Sequence, residues 1–170
     1  GVLQNRSFRT LPRKGEKKKV WQETGCAPCL FGWHALAPSA IETRTVLLCE
    51  GQIDAMTWTQ WGIPALSIPN GSGATWIEHE WDNLAAFDHI YLSFDQDGAG
   101  AKILDQTMLR LGKHRCLVVS LPHKDANDCL CNGCTEEDAR EWIANAKVPS
   151  VAGLVKAHDL RKRLLEEIRP

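Results

Sequence analysis

The sequence predicts a doubly wound α/β domain of four parallel strands with helices on both faces, and two observations carry that prediction. Short β-rich runs alternate with helical stretches of about 10–15 residues, the pattern of βαβ units around a parallel sheet. The strand runs are also nearly continuous in apolar residues, as they are when helices cover both faces of the sheet.

Each element follows from local signals. TVLLC (45–49) is the first strand, followed by a helical pattern from Ile53 to Trp61 that Gly62 and Pro64 end. ALSI (65–68) is the second, leading through the turn-rich PNGSG to an amphipathic helix from Ala74 to Phe87. HIYLSF (89–94) is the third, running into DQDGAG and a helix to Leu111 that Gly112 stops. RCLVVSL (115–121) is the fourth, followed by PHKDAND and a short helix. Thr135 reads as an N-cap with Glu136 and Glu137 in the first turn of a last helix, to about Lys147. KKKVWQ, in the leader, has the composition of a strand. VPSVAGLV (148–155) reads as a linker, and Lys156 to Ile168 as a helix of whatever follows.

A chain of 170 residues, 44% hydrophobic and 24% charged, suits one ordinary domain with flanking arms. No apolar run approaches the roughly 18 residues of a membrane span, and no secretory leader begins the chain, so a cytoplasmic protein is expected. The net charge of −1 hides a segregation. Residues 1–19 carry seven basic side chains against one acid, while residues 20–155 carry eight basic and 17 acidic. An acidic centre between basic ends suits a carboxylate metal site flanked by surfaces that tolerate phosphate, the plainer reading of the leader being a solvated tail.

In doubly wound sheets, chemistry sits at the carboxyl ends of the strands. The first strand runs into Glu50-Gly51, with Asp54 one helical turn on; the third runs into Asp95-Gln96-Asp97-Gly98-Ala99-Gly100. In an extended Asp-x-Asp both carboxylates can reach one side, and the glycines let the backbone turn tightly into the helix. If these strands are neighbours, Glu50, Asp95 and Asp97 converge, with no cation in that reading to neutralise them. Crowded carboxylates raise one another's pKa, and a hard divalent ion, Mg²⁺ or Mn²⁺, resolves the conflict. The alternative is that Asp95 and Asp97 cap a helix and Glu50 is a solvated loop acid. Pairing Asp-x-Asp with Glu-Gly-x-x-Asp two βα units upstream favours the metal.

Those two motifs, Glu50-Gly51-Gln52-Ile53-Asp54 and Asp95-x-Asp97-x-Ala99-Gly100, resemble the signatures of the TOPRIM family of primases, topoisomerases and nucleases. Leu30-Phe31-Gly32-Trp33-His34, Ile68-Pro69-Asn70-Gly71 and Lys124-Asp125-Ala126-Asn127-Asp128 are similar to motifs of bifunctional phage primase–helicases, relatives of the mitochondrial helicase Twinkle. The resemblance covers the chain from about Cys29 to Lys147. It implies a TOPRIM fold and the Mg²⁺-dependent catalytic core of a DNA primase, making RNA primers on single-stranded DNA from ribonucleoside triphosphates during replication. It implies Glu50, Asp95 and Asp97 as catalytic metal-site residues, Asp97 directly or through water, with Asp125 a further metal-site acid. Asp54 would brace the site from behind. Asn70, Gly71, Lys102 and Lys124 are expected to meet the nucleotide, and Arg13, Lys14, Lys17, Lys18 and Lys19 the template.

The sequence has no four-ligand zinc module at its start and no Walker A motif. It therefore reads as an excised domain, weakly active or inactive alone. Residues 1–36 would be a basic arm left from a primase N-terminal subdomain, 37–147 the TOPRIM domain, and 148–170 a linker and helix towards a helicase. Zinc-binding and helicase domains of the same chain are the expected partners, with no membrane, in the cytoplasm of a bacterial host as a phage or prophage product.

Other readings compete. Cys26/Cys29 and Cys131/Cys134 form two C-x-x-C pairs, but about 100 residues separate them, so free thiols are expected rather than zinc. The seven tryptophans can stack on bases, but most fall at helix positions that suit a core. His34 and His123 lie in or beside the family-like motifs. Strand cleavage of the topoisomerase or nuclease sort uses the same acids, yet the single tyrosine, Tyr91, lies mid-strand where burial is expected. A non-catalytic module joining a helicase to its template is the third possibility, against which the acids stand intact. For Glu50 and Asp95 to share a metal, the first and third strands must be adjacent, which predicts the spatial order second, first, third, fourth.

Overall fold

The computed structural model describes residues 3–11, 13, 15, 17, 19–69, 75–95 and 98–148. Asn70, Gly71, Asp97, Lys14, Lys18 and the expected C-terminal linker and helix lie outside them. The described elements begin with a small antiparallel hairpin, β1 (Ser7–Arg9) and β2 (Val20–Gln22), the second being the strand expected in KKKVWQ. Then follow α1 (Pro38–Glu42), β3 (Thr45–Cys49), α2 (Gln52–Gln60), β4 (Ala65–Ser67), α3 (Trp76–Leu84) and β5 (His89–Ser93). The last are α4 (Gly98–Leu111), β6 (Cys116–Val118), α5 (Ala126–Cys131) and α6 (Glu136–Ala144).

β3 to β6 form one parallel sheet in the order β4-β3-β5-β6, which is the order that a shared metal requires. β3 and β5 pair along five residues, from Thr45 opposite His89 to Cys49 opposite Ser93, so both strands end at the same level. Strand alternation sorts their side chains between two cores. Val46, Leu48, Ile90 and Leu92 pack with Trp76, Ile77 and Leu84 of α3 and Met108 and Leu111 of α4. Leu47, Cys49 and Tyr91 face Ala55 and Trp58 of α2, Cys129 of α5 and Ala139 of α6. Trp58, Trp61 and Trp142 meet edge to face there, with ring centroids 5.5–6.2 Å apart. Tyr91 is only half-buried, contrary to the expectation of burial, and packs at the edge of this second core.

Chain segments on either side of the strand-and-helix repeat line the two edges of the sheet. The segment Leu30–Trp33 joins the TOPRIM-like core: Phe31 exchanges two backbone hydrogen bonds with Ser67, each 2.9 Å, and so lies antiparallel along the β4 edge. Gly32, at φ 113°, lets the chain turn away there, and a Cβ would stand 3.0 Å from the Ala65 carbonyl oxygen. The buried carboxylate of Glu80 on α3 holds this segment from the other side. It accepts from the Leu30 N–H at 2.7 Å, from Trp33 Nε1 at 3.1 and 3.2 Å, and from Asn83 Nδ2 at 2.8 Å. At the opposite edge, Lys147 makes the same kind of antiparallel bridge to Val118 of β6.

Candidate metal centre

β3 and β5 deliver their terminal acids to one spot. Glu50 follows β3 and Asp95 stands two residues beyond β5, and the Asp95 N–H donates to Glu50 Oε1 at 3.1 Å. The contact exists because α4 begins with small residues. A Cβ on Gly100 would stand 2.1 Å from the Asp95 carbonyl oxygen and 2.7 Å from Glu50 Oε1, so only glycine lets the helix start so close to both acids. On the β3 side a Cβ on Gly51 would stand 2.1 Å from Asp54 Oδ2, so a side chain there would displace that carboxylate.

From α2 and α5 come the next two acids. Asp54, in the first turn of α2, accepts from the Asn127 N–H at 3.0 Å and so ties α2 to the start of α5. Burial pushes its carboxyl up from 3.8 to about 6, Asp125 and Asp95 push the same way, and the Asn127 N–H opposes them. Asp125 is the N-cap of α5, its Oδ1 accepting from the Asp128 N–H at 2.7 Å. The buried Cys49 thiol, beneath the acids, is raised by burial and then by Asp54, Glu50 and Asp95.

The sequence offered no cation to neutralise the acids, and here the structure corrects the reading. Lys124 places Nζ 3.2 Å from Asp95 Oδ2. Its position directly before Asp125 was the available signal, since the β6–α5 loop ends beside the β5 acid in the observed strand order. Lys102 lies exposed on α4, while Arg13, Lys17 and Lys19 are exposed in the N-terminal region. His34 is exposed and meets Phe31 edge-on, and His123 is exposed beside Lys124. None of the seven cysteines forms a disulfide. Beside the acids, a cleft of about 290 Å³ opens between α4 and β6, lined by Asp95, Leu104, Val118 and Ser120 among others.

The donor set tests the implied Mg²⁺. Glu50 and Asp95 supply carboxylate oxygens at the ends of neighbouring strands, and Asp54 and Asp125 add negative field near them. That suits a hard, oxygen-seeking cation. Among the described residues no three such ligands gather around one point, and Asp97, the third expected ligand, lies outside them.

Comparison with known proteins agrees with this geometry: residues 47–130 match the Toprim-like family model. The chain carries a Toprim-like domain, with a fold shared by primases. It is 32% identical to the DNA helicase/primase of Enterobacteria phage T3 over 89% of its own length and 27% of that protein. It superposes on the primase fragment of the bacteriophage T7 primase-helicase with a TM-score of 0.53 at 27% identity, over 58% of this chain and 43% of that one. The zinc-binding and RNA polymerase domains of Aquifex aeolicus primase share the fold, with a TM-score of 0.69 at 18% identity over 86% and 38% of the two chains. The chain thus spans about a quarter of the length of its phage T3 relative. Among the described residues no helix is long and apolar enough to cross a membrane.

Proposed function

We propose that this TOPRIM domain is the catalytic core of a DNA primase, working within a primase–helicase to make RNA primers on single-stranded DNA in the cytoplasm of a bacterial host. The observation that carries the reading is the Glu50–Asp95 contact at the carboxyl ends of adjacent strands, with Lys124 on Asp95. In this reading Glu50 and Asp95 hold Mg²⁺ or Mn²⁺, with Asp97 and Asp125 as further acids of the site. When bound, the ion neutralises the triphosphate under attack and lowers the pKa of the primer 3′-hydroxyl. Asp54 fixes the start of α5 and so positions Asp125 and Lys124 relative to Asp95. Lys124 and Lys102 bind nucleotide phosphate, Asn70 and Gly71 approach the nucleotide from the end of β4, and the basic residues Arg13 to Lys19 bind the template phosphates. Zinc-binding and helicase domains of the same chain supply template reading and movement.

The test is labelled ribonucleotide incorporation on a single-stranded DNA template by the full-length protein. Mg²⁺-dependent oligoribonucleotides are expected, lost on Asp95→Ala and on Glu50→Gln. No product from the wild type, or equal product from Asp95→Ala, overturns the reading.

A further inference from the structure

The N-terminal hairpin carries a feature the acid centre does not use. Phe8 on β1 lies directly opposite Trp21 on β2, and their rings stack with centroids 5.7 Å apart and planes within 16°. Such a pair steadies a hairpin, and that alone would explain it if the rings were covered. They are not: Phe8 is 39% and Trp21 49% exposed. Alternation along the strands puts Arg6, Thr10, Lys19 and Glu23 on the same face. Lys19 is fixed beside Thr10, its N–H donating to Thr10 Oγ1 at 2.9 Å while its carbonyl accepts from the Thr10 N–H at 3.0 Å. Glu23 pairs with Arg6 at 3.5 Å, and Arg9, Arg13 and Lys17 are exposed nearby in the chain.

Stacked, half-exposed aromatic rings set among cations are the recognition chemistry of unpaired nucleic acid, in which bases offer π-faces and phosphates offer charge. A duplex hides its base faces, and an acidic protein surface would use the lysines and arginines but not the rings. We propose that the Phe8–Trp21 face is a base-stacking platform for single-stranded DNA. The proposal deepens the primase reading, on which it rests for the strand being a template, by giving that strand a seat separate from the acid centre.

The test measures binding of the chain to fluorescently labelled oligo(dT) of roughly a dozen nucleotides, and to an abasic oligonucleotide of the same length. Neither ribonucleotides nor divalent ions are present, so the outcome does not depend on primer synthesis. Conversely, an inactive acid centre leaves this measurement intact. The wild type should prefer oligo(dT) by about five- to a hundredfold. Trp21→Ala and Phe8→Ala should shrink that preference while leaving the salt dependence, which reports phosphate contacts, unchanged. Because Trp21→Ala can loosen the hairpin, Trp21→Phe supplies the second readout. It should keep most of the affinity, while the fluorescence quenching seen when oligo(dT) saturates the wild type falls away. Equal wild-type affinity for oligo(dT) and the abasic strand, or quenching unaltered by Trp21→Phe, overturns the proposal.

Discussion

At Gly100 the acid centre has no room for a methyl group. The Asp95 carbonyl that a Cβ would strike is backbone and cannot swing aside, so Gly100→Ala must push α4 away from Glu50 and Asp95. The expected result is a loss of about 1–3 kcal/mol of stability and a much weaker Mn²⁺ titration; unchanged values of both would contradict the steric account. Asp54 makes a different prediction, in metal-free buffer. Its carboxyl titrates near 6 in the folded protein against 3.8 ordinarily, so the folded state holds this proton more tightly than the unfolded chain does. The stabilisation is complete below about pH 4 and is lost as pH rises through about 6, on the order of 1–3 kcal/mol in all. Asp54→Asn keeps an oxygen for the Asn127 N–H and removes the titration. The stability difference between variant and wild type should therefore grow in the variant's favour across that window in urea unfolding. A difference that stays flat with pH would show that Asp54 ionises normally.

Among the elements, α3 is held to the chain's early segment by a single buried carboxylate. Glu80→Ala would strand three donors, Leu30 N–H, Trp33 Nε1 and Asn83 Nδ2, and at about 1–3 kcal/mol for each unsatisfied group the domain should lose several kcal/mol. Glu80→Gln should lose less, because one amide oxygen still accepts, though its NH₂ then faces a donor. Urea unfolding followed by tryptophan fluorescence ranks the two; equal, small losses would mean water reaches the site. This element also marks where the sequence stopped being legible. The four strands were readable because apolar runs are local patterns, and their order followed from requiring the strands that end in Glu50 and Asp95 to be neighbours. The anchoring role of Glu80 was not, since its partners lie some 50 residues away and a glutamate in an amphipathic helix normally faces water. The ion pair of Lys124 with Asp95 likewise joins residues 29 apart in the chain, and it forms because β6 lies beside β5. The short α1 and strand β1 escaped because three to five residues carry too little periodicity to announce themselves.

For the molecule as a whole, the sheet separates two cores, and α2 and α4 leave the central strands β3 and β5 towards opposite faces. The crevice between those strands is where both acids arrive, as a topological switch point requires. The same sheet has two outer margins, β4 and β6, and each is lined by a chain segment running the other way, Phe31 along one and Lys147 along the other. An open parallel sheet with bare margins offers unpaired N–H and C=O groups to any neighbouring molecule, and self-association through them is a common fate of such folds. Here the segments just before and just after the strand-and-helix repeat act as hems. Their length is one bridge each, so what they contribute to stability is small, but they turn solubility into a property of where the chain is cut. A version trimmed to residues 37–144 keeps every strand of the sheet and both acids while baring both margins. It should scatter light and sediment as large species at concentrations where the 170-residue chain stays dispersed.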